Sequence, residues 1–445
     1  MLTFHLITDT HYYDLEALGF SDHKDQTVVN ESGAVLNAVF DWLLVHDETD
    51  IVLIAGDLCT SSHRVNSEHF VPMLRRLQAG GKRVFLIPAS HDYYHTDENK
   101  QRTDMVYRDE LRGIYHEFGY DSAIASYEPD PLSYVVQLAP GYRLICLSTD
   151  GGKQQQELEE LLDWAEAQIR KATAEGQFIF GMHHYPVLPP SPVYPLLSGD
   201  VVDLSPRLAE AGLRFIFTGH THMQNISRAE TPSGGFYEIN TGAAVGYDAP
   251  IRTVVIGEKE MTITTGSIAS FDWDLQGKTV SQYLKDGFDR MLNSIFEAMN
   301  NDIAEMLNIL NGEFTVNIDK KALLNHKLLL KLGGKILYRL TLGGAGRLLL
   351  CKRKVPKSVR KVRVKDLFME IVRNIYTGDE PYSAETPMGA AVFAIAGRLE
   401  LLTRPFLKNA KLPFDSLQSF VMSLIYDDGL PDNNAVLPLE DSCEI

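Results

Sequence analysis

Only four cysteines occur in 445 residues, at positions 59, 146, 351 and 443, and none forms a CxxC pair. Such spacing supports neither a disulfide framework nor a thiolate zinc knuckle, and it suits a reducing compartment. Long apolar runs are missing too. No stretch reaches the roughly 18 uninterrupted apolar residues of a spanning helix. The opening MLTFHLITDTHYYD has neither the basic start nor the long apolar stretch of a secretion signal. These absences lead to the expectation of a cytoplasmic protein. Positive charge is scarce as well, and a formal net charge of −17 argues against a protein that coats nucleic acid. The scarcity is uneven. Fifteen Lys and Arg residues and no Asp or Glu lie between Lys320 and Lys365, which leaves −32 for the rest of the chain.

What is present is an ordinary globular composition, 44% apolar and 23% charged, over a length that favours more than one domain. Short apolar strands recur up to about residue 265, among them Phe4–Ile7, Ile51–Ala55, Val84–Ile87, Phe178–Met182 and Phe215–Thr218. Helical patterns over 34–46, 67–78, 104–118, 154–174 and 205–211 separate several of them, and 121–150 reads as antiparallel hairpins. Strand and helix in alternation predict an α/β layered domain over residues 1–268. From 269 to 445 the periodicity is helical, over 277–312, 361–376 and 412–426, which predicts a second, mainly α-helical domain. A loop is expected at 378–388 and a loose tail after residue 430.

Five polar clusters each follow an apolar strand: Asp9-Thr10-His11, Gly56-Asp57, Ser90-His91-Asp92, His183-His184 and Gly219-His220-Thr221-His222. Residues just beyond the carboxyl ends of strands in an α/β sheet converge on one edge, where ligands bind. Asp and His alternating there offer hard oxygen and borderline nitrogen donors, which suit Mn, Fe or Zn. Any one cluster arises readily by chance; the ordered set does not. The remaining histidines read as surface or packing residues, with His95 and His184 the exceptions to watch. Tyr12, Tyr93, Tyr94 and Tyr185 flank the clusters and are candidates, with His184, to contact substrate, since an aromatic face stacks on any nucleobase.

The order DTH, GD, SHD, MHHYP, GHTH resembles the calcineurin-like metallophosphoesterases over about residues 1–265. The resemblance implies a four-layer α/β/β/α sandwich with two divalent metal ions, Mn, Fe or Zn. It places Asp9, His11 and His222 on one ion, Asp57 between the two, and His183 and His220 on the second. His91 would act on the leaving group, with Asp92 orienting it. Two such ions clamp phosphoryl oxygens and acidify a bridging water, whose hydroxide attacks phosphorus in line. One position departs from the family loop, Gly-Asn-His-Asp or Glu: Ser90 stands where the asparagine would bind the second ion. A hydroxyl is a shorter, poorer ligand than an amide, so weaker hold on that ion is expected.

Thr60 occupies the position of the metal-bound tyrosine of purple acid phosphatases, and Leu58–Ser62 replaces the DRG run of protein phosphatases. The His183-His184-Tyr185-Pro186 segment looks more like that of bacterial cyclic nucleotide phosphodiesterases, as does the added helical domain. The expected function is therefore a dinuclear phosphodiesterase hydrolysing a small phosphodiester such as a cyclic nucleotide. The alternatives are a phosphomonoesterase, nucleotide diphosphatase or nuclease of the same superfamily, or a scaffold protein with a degraded metal site. Nucleic acid is not expected as a partner. The basic segment 320–365, with Lys327, Lys331, Lys335 and Arg339 at helical spacing, is a candidate for peripheral membrane or protein contact.

Overall fold

The structure is a computed structural model that describes residues 1–22, 26–95, 100–149, 155–192, 194, 204–301, 334–336, 338–378, 380–407, 416–427 and 429–439. Much of the basic segment, including Lys327 and Lys331, lies outside the described residues. Two sheets form the α/β unit. The first contains β1 (Leu2–Ile7), β2 (Ile51–Ala55), β3 (Arg83–Ile87), β11 (Ile251–Ile256), β12 (Glu260–Gly266) and β13 (Ala435–Pro438) in the order β13-β12-β11-β1-β2-β3. The second contains β4 (Ala123–Ser126), β5 (Tyr134–Ala139), β6 (Tyr142–Leu147), β7 (Phe178–His183), β8 (Phe215–Thr218), β9 (Asn225–Thr231) and β10 (Gly234–Asn240) in the order β4-β5-β6-β7-β8-β10-β9.

Strands β1, β2 and β3 run parallel, as do β6, β7 and β8, so their carboxyl ends gather the five polar clusters along the sheet edges. The sheets face each other through aromatic packing: Phe4 of β1 stacks on Phe180 of β7 and meets Phe217 of β8 edge-on, both at 5.3 Å. A ring buried this way contributes roughly 1.5–3 kcal/mol. Helices cover the outer faces. Ser32–Val45 and Arg64–Ala79 bury Val39, Phe40, Phe70 and Leu74 beside the first sheet. Gln155–Ala174 and Ser205–Ala211 pack Ile169, Ala172 and Leu208 against Ile145, Ile179 and Ile216 of the second. This is the expected four-layer sandwich, and the hairpins expected over 121–150 are β4, β5 and β6.

One expectation needs correction. The loose tail is in part β13, which pairs with β12 from Glu260↔Pro438 to Ile263↔Ala435. Buried Arg252 holds its approach, donating to the Asp432 and Asn240 carbonyls and to Thr241 Oγ1. Beside the boundary expected at 268 stands the grouping of the chain by its own contacts. The chain divides into one compact unit of residues 1–190, 201–288 and 431–445 and another of 191–200 and 289–430. The start of helix Val280–Asn301 belongs to the first, where Tyr283 donates to Glu31 Oε1 at 2.7 Å and Phe288 packs on Tyr247. The second unit is helical, built of Leu342–Leu348, Val364–Thr377, Pro387–Leu407 and Leu417–Ser423 around a core of Leu342, Val355, Val359, Leu367, Ala391, Val392 and Ile425.

Candidate metal centre

The clusters sit at or just beyond the carboxyl ends of their strands. Asp9, His11, Asp57, His220 and His222 all adopt left-handed backbone, with φ of 50°, 38°, 47°, 68° and 57°. Such conformations are uncommon for side-chain-bearing residues and concentrate at functional sites. Neighbouring glycines make the turns possible: a Cβ on Gly56 would strike the His184 ring, and one on Gly219 would strike Thr8 and Asp9.

Two groups of donors result, Asp9 with His11 and His222, and Asp57 with His184 and His220. In the first, Asp9 Oδ1 lies 3.3 Å from His222 Nε2 and 3.8 Å from His11 Nε2, and the two ring nitrogens are 3.1 Å apart. In the second, Asp57 Oδ2 lies 3.0 Å from His184 Nε2. The same oxygen is 4.0 Å from His11 Nε2, so Asp57 stands between the groups. Burial pushes His11 down to about 4 and His220 down to about 3, leaving both rings neutral with lone pairs available.

His184 tests whether a cation fits. Its Nδ1 donates to the Ala55 carbonyl at 2.8 Å, while its buried Nε2 satisfies no hydrogen bond and faces the Asp57 carboxylate. A neutral ring would set its lone pair against a carboxylate oxygen. Positive charge must resolve the conflict, from a proton or from a divalent ion held by these residues. Burial opposes the proton, but Asp57 and Asp9 outweigh it and raise His184 to about 9. Metal uptake at pH 7 is therefore expected to release about one proton from His184 and none from His11 or His220. The release should vanish, and affinity level off, as pH rises through about 9. Calorimetry in two buffers of different ionisation enthalpy measures it.

The structure gathers His184, not the expected His183, with Asp57 and His220. His183 is engaged on both ring nitrogens, donating from Nδ1 to the Tyr185 carbonyl at 2.5 Å and accepting Thr149 Oγ1 on Nε2 at 2.8 Å. His91 reaches the site edge, with its ring 5.0 Å from that of His11 and its Nε2 3.9 Å from Asp57 Oδ2. The nearby Asp57 charge raises its pKa. Its Nδ1 donates to the Thr60 carbonyl at 3.0 Å, so that carbonyl, rather than Asp92, sets the ring. The buried Asp92 carboxylate instead accepts the backbone N–H groups of Leu58, Cys59 and Ala89, tying the loop after β2 to the loop after β3.

Ser90, Tyr93, Tyr94 and Tyr185 line a cavity of about 1060 Å³, with Tyr107 and Tyr127 further along its wall. Tyr12 does not line it; its ring stacks on Phe70. Sequence reasoning missed two buried supports in β10. Glu238 accepts the N–H groups of Val187 and Leu188 and the Thr218 hydroxyl, and Asn240 accepts Thr221 Oγ1 while donating to the Gly219 carbonyl. Their signal was present: two polar residues inside the apolar strand FYEIN.

Residues 2–224 match the profile of the calcineurin-like phosphoesterases. The chain belongs to that family. A calcineurin-like phosphoesterase is a metal-dependent phosphoester hydrolase, and the two donor groups are its candidate dimetal site. No curated protein matches the chain. Among solved structures, a dimetal phosphatase from Danio rerio is similar at 15% identity and a TM-score of 0.42, over 60% of this chain and 96% of that one. The NAD nucleotidase of Haemophilus influenzae is similar at 12% identity and 0.34, over 66% of this chain and 56% of that one. A purple acid phosphatase from yellow lupin seeds is similar at 13% and 0.37, over 60% and 51% respectively. No helix among the described residues is long and apolar enough to cross a membrane.

Proposed function

We propose that this phosphoesterase is a two-metal phosphodiesterase acting on a small phosphodiester that carries an aromatic base, such as a cyclic nucleotide. The cavity beside the metal centre carries the reading. Tyr94 and Tyr185 are half-exposed there and offer stacking faces, with Arg102 over the Tyr94 ring at 5.7 Å, while Tyr93 is buried between Arg108 and His95. Two of its three Lys and Arg side chains are paired, Arg108 with Asp130 at 2.6 Å and Lys100 with Asp109, the third, Arg112, donates to the Pro131 carbonyl at 2.9 Å, and Glu157 and Glu160 also line it. A wall so balanced suits a monoanionic diester better than a dianionic monoester.

Asp9, His11 and His222 would hold one divalent ion, Asp57, His184 and His220 the other, with Asp57 shared. Bound there, the ions would polarise the phosphoryl oxygens and acidify a water. His91 would hold a proton at Nε2 for the departing oxygen, a transfer typically worth about 10²–10⁴ in rate. Tyr94 and Tyr185 would position the base. A substrate panel tests the reading: bis-p-nitrophenyl phosphate and cyclic nucleotides against p-nitrophenyl phosphate, each with Mn, Fe or Zn. Diesters should be hydrolysed faster; preference for the monoester would contradict it.

Ser90 is the weak point of the second ion's site. Asparagine in its place supplies an amide oxygen, so Ser90→Asn is expected to tighten the second ion by roughly tenfold or more. Metal titration of the two proteins checks this, and the first ion's affinity should not move.

A further inference from the structure

The basic segment of the helical unit is unexplained by the metal centre. Between Arg347 and Lys361 the chain has seven cations and no acid. Arg347, Arg353, Lys354, Lys357 and Lys361 are exposed and form no ion pair among the described residues. Within the same stretch stand Leu348, 72% exposed, and Leu350, 82% exposed. Leu350 also has left-handed backbone, φ 58°, which glycine would adopt at less cost.

This segment is firmly built. Val355 and Val359 are buried in the unit's core, and Arg360 donates to the carbonyls of Val355 and Lys352 at 2.8 and 2.9 Å. Arg398 donates to the Leu349 carbonyl at 3.1 Å, and the Cys351 N–H returns to Gly346. Leu348, at the end of helix Leu342–Leu348, and Leu350, just after it, are thus held out to solvent while the valines of the following turns are held in.

We propose that the segment 347–361 docks on anionic lipid bilayers, with Leu348 and Leu350 entering the interface and the surrounding Lys and Arg residues meeting lipid headgroups. Charge complementarity chooses the partner. A chain carrying −17 overall is repelled by an anionic surface everywhere except at a concentrated basic patch. The leucines decide between polyanions: they gain from burial among acyl chains and nothing from a phosphate backbone. The proposal is independent of the substrate and of the metal centre.

Flotation of the full chain with phosphatidylcholine–phosphatidylserine vesicles tests it, with phosphatidylcholine vesicles and duplex DNA in parallel. Binding to the anionic vesicles is expected at low salt, falling as salt rises, with none to the neutral vesicles. Leu350→Gly removes the side chain at a position whose backbone favours glycine, so the fold is kept. Combined with Leu348→Ser it should weaken vesicle binding roughly tenfold or more. Charge reversal at Arg353, Lys354 and Lys357 should abolish binding, and hydrolysis of a soluble substrate should be unchanged in both variants. No binding at low salt, full affinity in the leucine variant, or tighter binding to DNA than to vesicles would overturn the proposal.

Discussion

Replacing His184 with alanine is expected to empty the second metal position and lower the hydrolysis rate roughly 10³-fold, about 4 kcal/mol in the barrier. His183→Ala, one residue earlier, should leave the metal content unchanged. The contrast follows from where the two rings point. His184 Nε2 faces Asp57 with no hydrogen bond of its own, whereas both nitrogens of His183 are bonded within the protein. His183→Ala loses those bonds and should cost about 1–2 kcal/mol of stability. Metal analysis of the two purified variants, with thermal unfolding, separates the roles. Loss of metal from the His183 variant alone would reverse the assignment.

The second large effect concerns His91. His91→Ala should lower the rate about 10²–10⁴-fold while both ions remain bound, because its ring touches the site's edge without belonging to either donor group. A substrate with a good leaving group, such as a p-nitrophenyl ester, should lose less, since a phenolate needs little protonation. Asp92→Asn should behave differently. Its carboxylate accepts three backbone N–H groups from two loops, so the variant should lose stability first. Rate and unfolding measured for both variants, with both leaving groups, distinguish an acid from a loop clamp. Equal rate losses on good and poor leaving groups would count against His91 as the proton donor.

Much of the sandwich was legible because its central strands are short apolar runs ending in polar turns. The strands missed had other patterns. In β9 only Ile226 is fully buried, and the polar residues around it mark no strand. For β13, four residues in a Pro- and Asp-rich tail say little until β12 offers an edge. Helix Pro387–Leu407 was missed for the opposite reason, being apolar around much of its circumference and so lacking a polar stripe.

At the metal centre, the positions were legible but the choice between His183 and His184 required the phase of β7. Successive side chains in a strand point to opposite faces. Phe180 faces the other sheet, stacked on Phe4, while Ile179 joins the helix-side core. Counting on by twos puts His184 on the inter-sheet side with Asp57 and His183 on the other. Sequence alone contains the alternation but not which face is which. The Thr60 carbonyl that sets His91 leaves no trace in residue identity at all, because any residue could supply it.

Two donor sets in this chain are assigned one ion each. Anomalous diffraction from crystals grown at saturating Mn measures that directly. Two peaks are predicted, one among Asp9, His11 and His222 and the other among Asp57, His184 and His220. A single peak, or a second one bound by His183, would contradict the account.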